Sequence, residues 1–226
     1  MPAEEESSET VSVATAAKFG LAAVINSYLT VSSRHVVDAI REWQIAASAP
    51  LVVTIDGHGA SGKSTLARIV GQELGATVVH TDDFFRPGDP TRPRTAASQM
   101  SEYYDWERLR REAMTPLLAG RTADFRAFDE ATDGFKPETV QVEPADLILL
   151  EGVSSTTPEL SDLVDRTVLV QTPEPERTWR LMARVTPEIW DENWLAAERA
   201  YFATRPAHAF DLVVSGSTTE PPEVNG

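Results

Sequence analysis

The chain has 226 residues, 42% of them hydrophobic, enough for one substantial domain with a real core. Its 20 basic and 35 acidic residues give a formal charge of −15, which repels nucleic acid and anionic membrane and argues against either as a main partner. There is no cysteine, so disulfides and thiolate metal sites are excluded. No apolar run approaches the roughly 20 residues of a membrane span, and the start, Met1-Pro2-Ala3-Glu4-Glu5-Glu6, is acidic where a secretion signal is basic. A cytoplasmic protein is the expectation.

Residues 1–32 are expected to form a disordered or loosely ordered extension. Met1–Thr10 is acidic and Ser/Thr-rich, and Val11 to Leu29 is Ala- and Val-rich without a clean period. Residues 33–215 are expected to form the folded domain. Arg34–Trp43 sets Val36, Val37, Ile40 and Trp43 on one helical face, with Ser33 as a candidate N-cap, and predicts a helix beside the first strand. Leu51-Val52-Val53-Thr54-Ile55 reads as a buried strand. It runs through Asp56 into Gly57-His58-Gly59-Ala60-Ser61-Gly62-Lys63-Ser64-Thr65 and then a helix.

That stretch has the spacing G-x-x-x-x-G-K-[ST] between a strand and a helix, and it organises the rest of the chain. Glycines let backbone N–H groups curl round a polyphosphate, and the helix N-terminus adds partial positive charge. Lys63 is suited to the β- and γ-phosphates, and the Ser64 hydroxyl to Mg²⁺. The stretch predicts a site for ATP or another nucleoside triphosphate. His58 is read as a variable loop position, because the loop amides make the main phosphate contacts.

Further along, Ala76–Thr81 predicts a second strand that delivers Asp82-Asp83-Phe84-Phe85 at its C-terminal end, where open α/β sheets bind ligands. If the strand extends so far, only one of the two acids faces the phosphates. Pro87, Pro90 and Pro93 exclude regular structure over 86–94. Glu107–Leu118 predicts a helix that Pro116 bends or shortens. Asp124–Asp129 and Glu138–Val142 predict a small hairpin around Asp133-Gly134. Ala145–Gly152 is a buried strand ending in Glu151, whose charge needs a partner or a metal there. Arg166–Gln171 and Phe210–Val214 are the remaining strands. Pro175–Val185 and Glu188–Tyr201 read as helices, the first carrying Arg177, Arg180 and Arg184. Trp179, Trp190, Trp194, Tyr201 and Phe202 suggest an apolar seam between the C-terminal helices, and 216–226 a flexible tail. Alternating strands and helices predict an α/β fold: a doubly wound, mostly parallel five-stranded sheet with helices on both faces.

The ordered set Ile55-Asp56-Gly57…Ser61-Gly62-Lys63-Ser64, His80-Thr81-Asp82-Asp83-Phe84-Phe85, Tyr104-Asp105-Trp106, Leu149-Leu150-Glu151-Gly152 and Arg177…Arg180…Arg184 resembles the uridine kinase/phosphoribulokinase-like family of P-loop kinases. The likeness spans about Leu51 to Val214. It implies a P-loop kinase fold with a small lid and an ATP- and Mg²⁺-dependent transfer of the γ-phosphoryl group to a hydroxyl of a small molecule. It further implies Asp82 as catalytic base, Lys63 and the lid residues Arg180 and Arg184 on the phosphates, and Ser64, Glu151 and Asp82 near Mg²⁺. Asp83, Phe85, Tyr104, Asp105 and Phe128 would form the acceptor side, Asp105 holding sugar hydroxyls. Two departures stand out. Glu130 and Asp133 replace the aromatic and His that read a pyrimidine in uridine kinases, and Val185 follows Arg184 where the lid ends Arg-Asp. The kinase reading survives these departures but uridine as acceptor does not follow, and uridine/cytidine kinases stay the nearest expectation. A kinase of another hydroxylated metabolite (sugar, sugar phosphate, pantothenate-like acid), a regulatory ATPase and a degenerate nucleotide-binding module are the alternatives. A homo-oligomer is compatible with all of them.

Overall fold

Six consecutive buried residues, Leu51–Asp56, form β1, the central strand of a five-stranded sheet. The computed structural model describes residues 32–47, 50–88, 95, 99–183 and 192–217. Sheet order is β2 (Thr77–His80), β5 (Leu147–Glu151), β1, β6 (Arg166–Gln171), β7 (Leu212–Ser215), and all four pairings are parallel. Parallel strands are covered on both faces, which is why β1 and β5 read as unbroken apolar runs.

The period-two alternation of the strands divides the core in two. Leu51, Val53, Ile55, Leu147, Leu149, Val168 and Val170 face one way. They pack on Val36, Val37 and Ile40 of α1 (32–46) and on Leu66, Ala67 and Val70 of α2 (Lys63–Leu74). Val52, Val79, Ile148 and Leu150 face the other way, toward Phe84, Tyr104, Leu109, Met114 and Phe125. The predicted helix beside the first strand is present, but it already includes Ser32. Ser33 is therefore inside the helix and not its cap, and the Ser32 hydroxyl donates to the Ser215 carbonyl at 2.6 Å.

Between β2 and β5 the chain leaves the sheet. It forms α3 (Met100–Tyr103), α4 (Trp106–Leu109), a π turn over Arg110–Met114 and α5 (Thr115–Leu118). Pro116 cannot donate within a helix and its ring crowds the preceding turn, so the widened turn just before it is the form the expected bend takes. The hairpin of β3 (Ala123–Asp129) and β4 (Gly134–Val142) is antiparallel and longer than expected, starting at Gly134. Asp133 turns it with φ of 47°, a conformation Asp tolerates.

The C-terminal helices are α6 (Glu174–Met182) and α7 (Glu192–Ala203). The proposed aromatic seam is only half there. Trp194, Tyr201 and Phe202 pack against the core, whereas Trp179 is 65% exposed, because α6 buries none of its residues. Trp190 lies outside the described residues, as do Arg184, Val185 and the extension through residue 31. Gly216, at the start of the expected tail, donates its N–H to the Gln171 carbonyl at 2.8 Å, and Ser217 bonds Glu176 at 2.5 Å.

Candidate nucleotide and acceptor site

Strand register builds the site. Ile55 and His80 both pair with Glu151, so β1, β5 and β2 end level with one another. The residues just past those ends, Gly57–Thr65, Gly152 and Thr81–Asp83, converge at the carboxyl edge of the sheet. β1 lies between strands reached in opposite directions, the place where such sheets hold ligands.

The loop after β1 needs its glycines. Gly57 has φ of 147°, and a Cβ there would stand 2.4 Å from the Val170 carbonyl oxygen. Gly62 caps α2 with φ of 100° and no side-chain cap, which leaves the first amides of the helix without a capping side chain. Ala60 takes φ of 58° without being glycine, a strain that a functional loop can carry. Lys63 is 6% exposed, and its Nζ donates to the His58 carbonyl at 3.0 Å. The base of the loop is held by Asp56. It accepts from the N–H groups of Gly57 (2.7 Å), Ser154 (2.9 Å) and Thr156 (3.1 Å), the Thr156 hydroxyl, and the Tyr201 hydroxyl (2.8 Å).

Two acids approach the Lys63 end of the loop. Glu151, only 4% exposed, accepts from the Ser64 hydroxyl at 2.9 Å through Oε1 and meets His80 Nδ1 at 2.7 Å through Oε2. Burial pushes its carboxyl up, but His80, Lys63 and Ser64 hold it below the ordinary value. Asp82 is open to solvent yet walled in by protein, as a cleft-floor group is. Loss of surrounding water raises its carboxyl, with Lys63 opposing, and Tyr104 Oη donates to it at 3.3 Å. Strand β2 stops at His80, and Thr81–Phe84 is a 3-10 turn. The two acids are therefore separated by a turn and not by strand alternation. Asp83 sits beside His80, Lys136 and Arg108. Turn and strand meet closely: a Cβ on Gly152 would lie 1.7 Å from Thr81 Oγ1.

Ser64 and Glu151 offer hard oxygen donors side by side, which suits Mg²⁺. Among the described residues no three His, Asp or Glu side chains are grouped to hold a metal by themselves.

The side expected to take an acceptor is aromatic. The Phe85 ring centre lies 4.5 Å from Tyr104, 5.6 Å from Phe128 and 5.3 Å from Trp194. Phe85, Tyr104 and Phe128 are thus brought together as expected, and Trp194 joins them. Asp105 caps α4, its Oδ1 accepting from the Arg108 N–H at 3.0 Å, so one of its oxygens is already engaged. Asp133 is turned to the Gly88 amide, at 2.9 and 2.8 Å, and not free to read a base. Arg126 bonds the carbonyls of Phe135 and Lys136, with no ion pair to Asp133 among the described residues. Arg180 reaches the loop from behind, donating to the Ala60 carbonyl at 3.0 Å, the Gly216 carbonyl at 2.9 Å and Glu176 at 2.6 Å. Sequence reasoning missed Asp56, although it ends an apolar strand as Glu151 does. It also missed Arg108, which ties Asp83 to the hairpin through the carbonyls of Asp83 (2.5 Å) and Arg126 (2.8 Å). Glu198 carried no motif at all, and Trp194 was expected in an apolar seam and not beside Phe85.

No protein-family model matches the chain. It is 27% identical over 162 residues to the uridine kinase of Halobacterium salinarum, covering 69% of this chain and 72% of that protein. It is 25% identical over 142 residues to the uridine kinase of Brevibacillus brevis, covering 60% and 66%. Its fold matches a structure described as a possible uridine kinase from Bacillus stearothermophilus with a TM-score of 0.59 at 24% identity, over 80% of this chain and 98% of that one.

Proposed function

We propose that the chain is a small-molecule kinase of the uridine kinase/phosphoribulokinase-like P-loop family, nearest to uridine/cytidine kinases, which transfers the γ-phosphoryl group of ATP to a hydroxyl of a small acceptor; the likeness to uridine kinases and the shared fold support this reading. The observation that carries this is the convergence of Lys63, Ser64, Glu151 and Asp82 at the level ends of three parallel strands, facing an aromatic cleft.

The amides of Gly62 and the start of α2 cradle the phosphates, while those of Gly57, Gly59 and Ser61 hold the loop's shape through Asp56, Glu198 and the His58 carbonyl. Lys63 leaves the His58 carbonyl for the phosphates, where it offsets the charge on the transferring group. Ser64 and Glu151 would hold Mg²⁺, which when bound neutralises charge on the phosphate oxygens. The acceptor lies against Phe85, Phe128 and Trp194 with a hydroxyl at Asp82. Asp82 takes the hydroxyl proton while that oxygen bonds to the γ-phosphorus and the bond to the β-phosphate oxygen breaks, leaving ADP. Tyr104 orients the Asp82 carboxylate. Arg180 stiffens the loop through the Ala60 carbonyl in place of the expected phosphate contact, and Arg184 alone keeps the phosphate role that the family resemblance implies.

The test is ADP release with ATP and magnesium across uridine, cytidine, sugars, aminosugars and sugar phosphates. Release that requires a hydroxylated acceptor supports the proposal. Equal turnover without any acceptor makes the protein an ATPase and overturns it.

A further inference from the structure

Glu198 lies on α7, far in sequence from the phosphate-binding loop, yet it is one of the most buried acids in the protein at 2% exposure. Its Oε2 accepts from the Gly59 N–H at 3.1 Å, and its Oε1 meets His58 Nδ1 at 2.6 Å and Arg177 Nη1 at 3.5 Å. The His58 ring is clamped on its other side by Phe202, with ring centres 4.0 Å apart. Trp194, Glu198 and Tyr201 follow one another at helical spacing along one face of α7. Trp194 reaches the aromatic cleft, Glu198 the loop, and Tyr201 the Asp56 carboxylate at its base.

A carboxylate against a loop amide can do one of two things: take the place of a phosphate, or hold the loop from outside. The geometry decides. A group in the phosphate's own seat would face the open concavity, but Glu198 is shut in, on the same side of Gly59 as Leu181 of α6. Its charge is met there by Arg177 and lies near His58 and Lys63. A buried ionised group in such contacts is costly to strand, so the loop segment it holds is fixed in place. Preorganised loop amides bind phosphate better than amides that must be ordered on binding.

We propose that Glu198 is a positioning residue for the nucleotide. It locks His58 and Gly59 from behind and so presets the phosphate-binding loop. This rests on the nucleotide reading of the loop given above.

The experiment is calorimetric titration of the full chain with ADP, paired with thermal denaturation. Glu198→Ala is expected to weaken ADP binding about ten-fold, the loss of a charge-assisted hydrogen bond. Glu198→Gln, which keeps an oxygen for the Gly59 amide, restores most of that affinity. Ala197→Gly, a buried neighbour on the same helix, lowers the melting temperature without changing ADP affinity. Glu198→Asp keeps the charge but withdraws it by one methylene, and it too weakens ADP binding; it serves where the alanine variant does not fold. Wild-type or tighter ADP binding in the Ala or Asp variant overturns the proposal. So does an equal loss in Ala197→Gly at the same fall in melting temperature. Absence of ADP binding by the wild-type chain is a separate result, and it overturns the nucleotide reading itself.

Discussion

The Ser64 hydroxyl donates to Glu151 Oε1 at 2.9 Å, joining the first turn of α2 to the end of β5 across 87 residues of sequence. Neither residue reaches the other by chance of local folding. The parallel register that pairs Ile55 with Glu151 sets the end of β5 beside the loop after β1. Fold and chemistry therefore meet in that one contact, and Glu151 extends it to His80 at 2.7 Å.

The His80–Glu151 pair predicts a pH window for stability. His80 is raised above 6.5 chiefly by its hydrogen bond to Glu151, with Asp82 and Asp83 adding to it. Its contribution is complete below 6.5 and fades as pH rises through the raised native value. Glu151 is lowered below 4.5, so its contribution is complete above 4.5 and is lost as pH falls through the depressed value. The melting-temperature gap between wild type and Glu151→Gln should thus be widest between those limits and close on both sides. Thermal denaturation across pH, without added divalent cation, measures it. A gap independent of pH would contradict the ion pair.

Lys63→Ala should reduce phosphoryl transfer by about 10²–10³, the loss typical of one group stabilising charge in the transition state. The side chain makes one hydrogen bond to its own loop, so the fold should persist. Circular dichroism establishes folding, and ADP release measures the rate. Near-normal turnover in a folded variant is incompatible with the proposed chemistry.

Asp82 and Asp83 should part company. Asp82 stands with Lys63, Glu151 and Tyr104, whereas Asp83 is grouped with His80, Lys136 and Arg108. Asp82→Asn should lower kcat by about 10²–10⁴, the range for a lost general base, and Asp83→Asn far less. Since its surroundings raise Asp82 above 3.8, the acidic limb of the kcat profile should lie above the ordinary carboxylate range, activity growing as pH climbs through the raised value. Equal losses in the two variants would reassign the base.

Much of this was legible because one physical pattern carried it. An apolar strand, three glycines, Lys63 and a helix specify a phosphate loop locally, and apolar runs ending in acids locate the strand ends around it. Side-chain commitments were not legible. Asp133 stands in sequence where a uridine kinase reads its base, yet it accepts from the Gly88 amide 45 residues away, and no periodicity encodes that meeting. The exposed face of Trp179 failed for a related reason: aromatic content predicts burial only where another element arrives to cover it. Glu198 was silent because a lone acid on an amphipathic helix looks like any solvated residue until the tertiary fold turns it onto Gly59.

The acceptor can be argued from what remains free in the cleft. With Asp133 engaged by Gly88 and Arg126 by the hairpin carbonyls, the acids beside the rings are Asp82, near Lys63, and Asp83, near His80, Lys136 and Arg108. Arg108 is spent on backbone carbonyls and lies over the Phe84 and Phe135 rings. Two acids at the reacting end favour a neutral or cationic acceptor over a phosphorylated one, and the rings of Phe85, Phe128 and Trp194 favour a flat apolar face on it. Nucleosides meet both demands better than free sugars. Phe85→Leu keeps apolar volume but removes the central ring, and should raise the acceptor KM about ten-fold while leaving the KM for ATP unchanged. Steady-state kinetics with uridine and cytidine, beside sugars and sugar phosphates, checks it. A sugar phosphate with the highest kcat/KM, or a Phe85→Leu enzyme whose acceptor KM does not move, would show that the rings pack for stability and that recognition lies elsewhere.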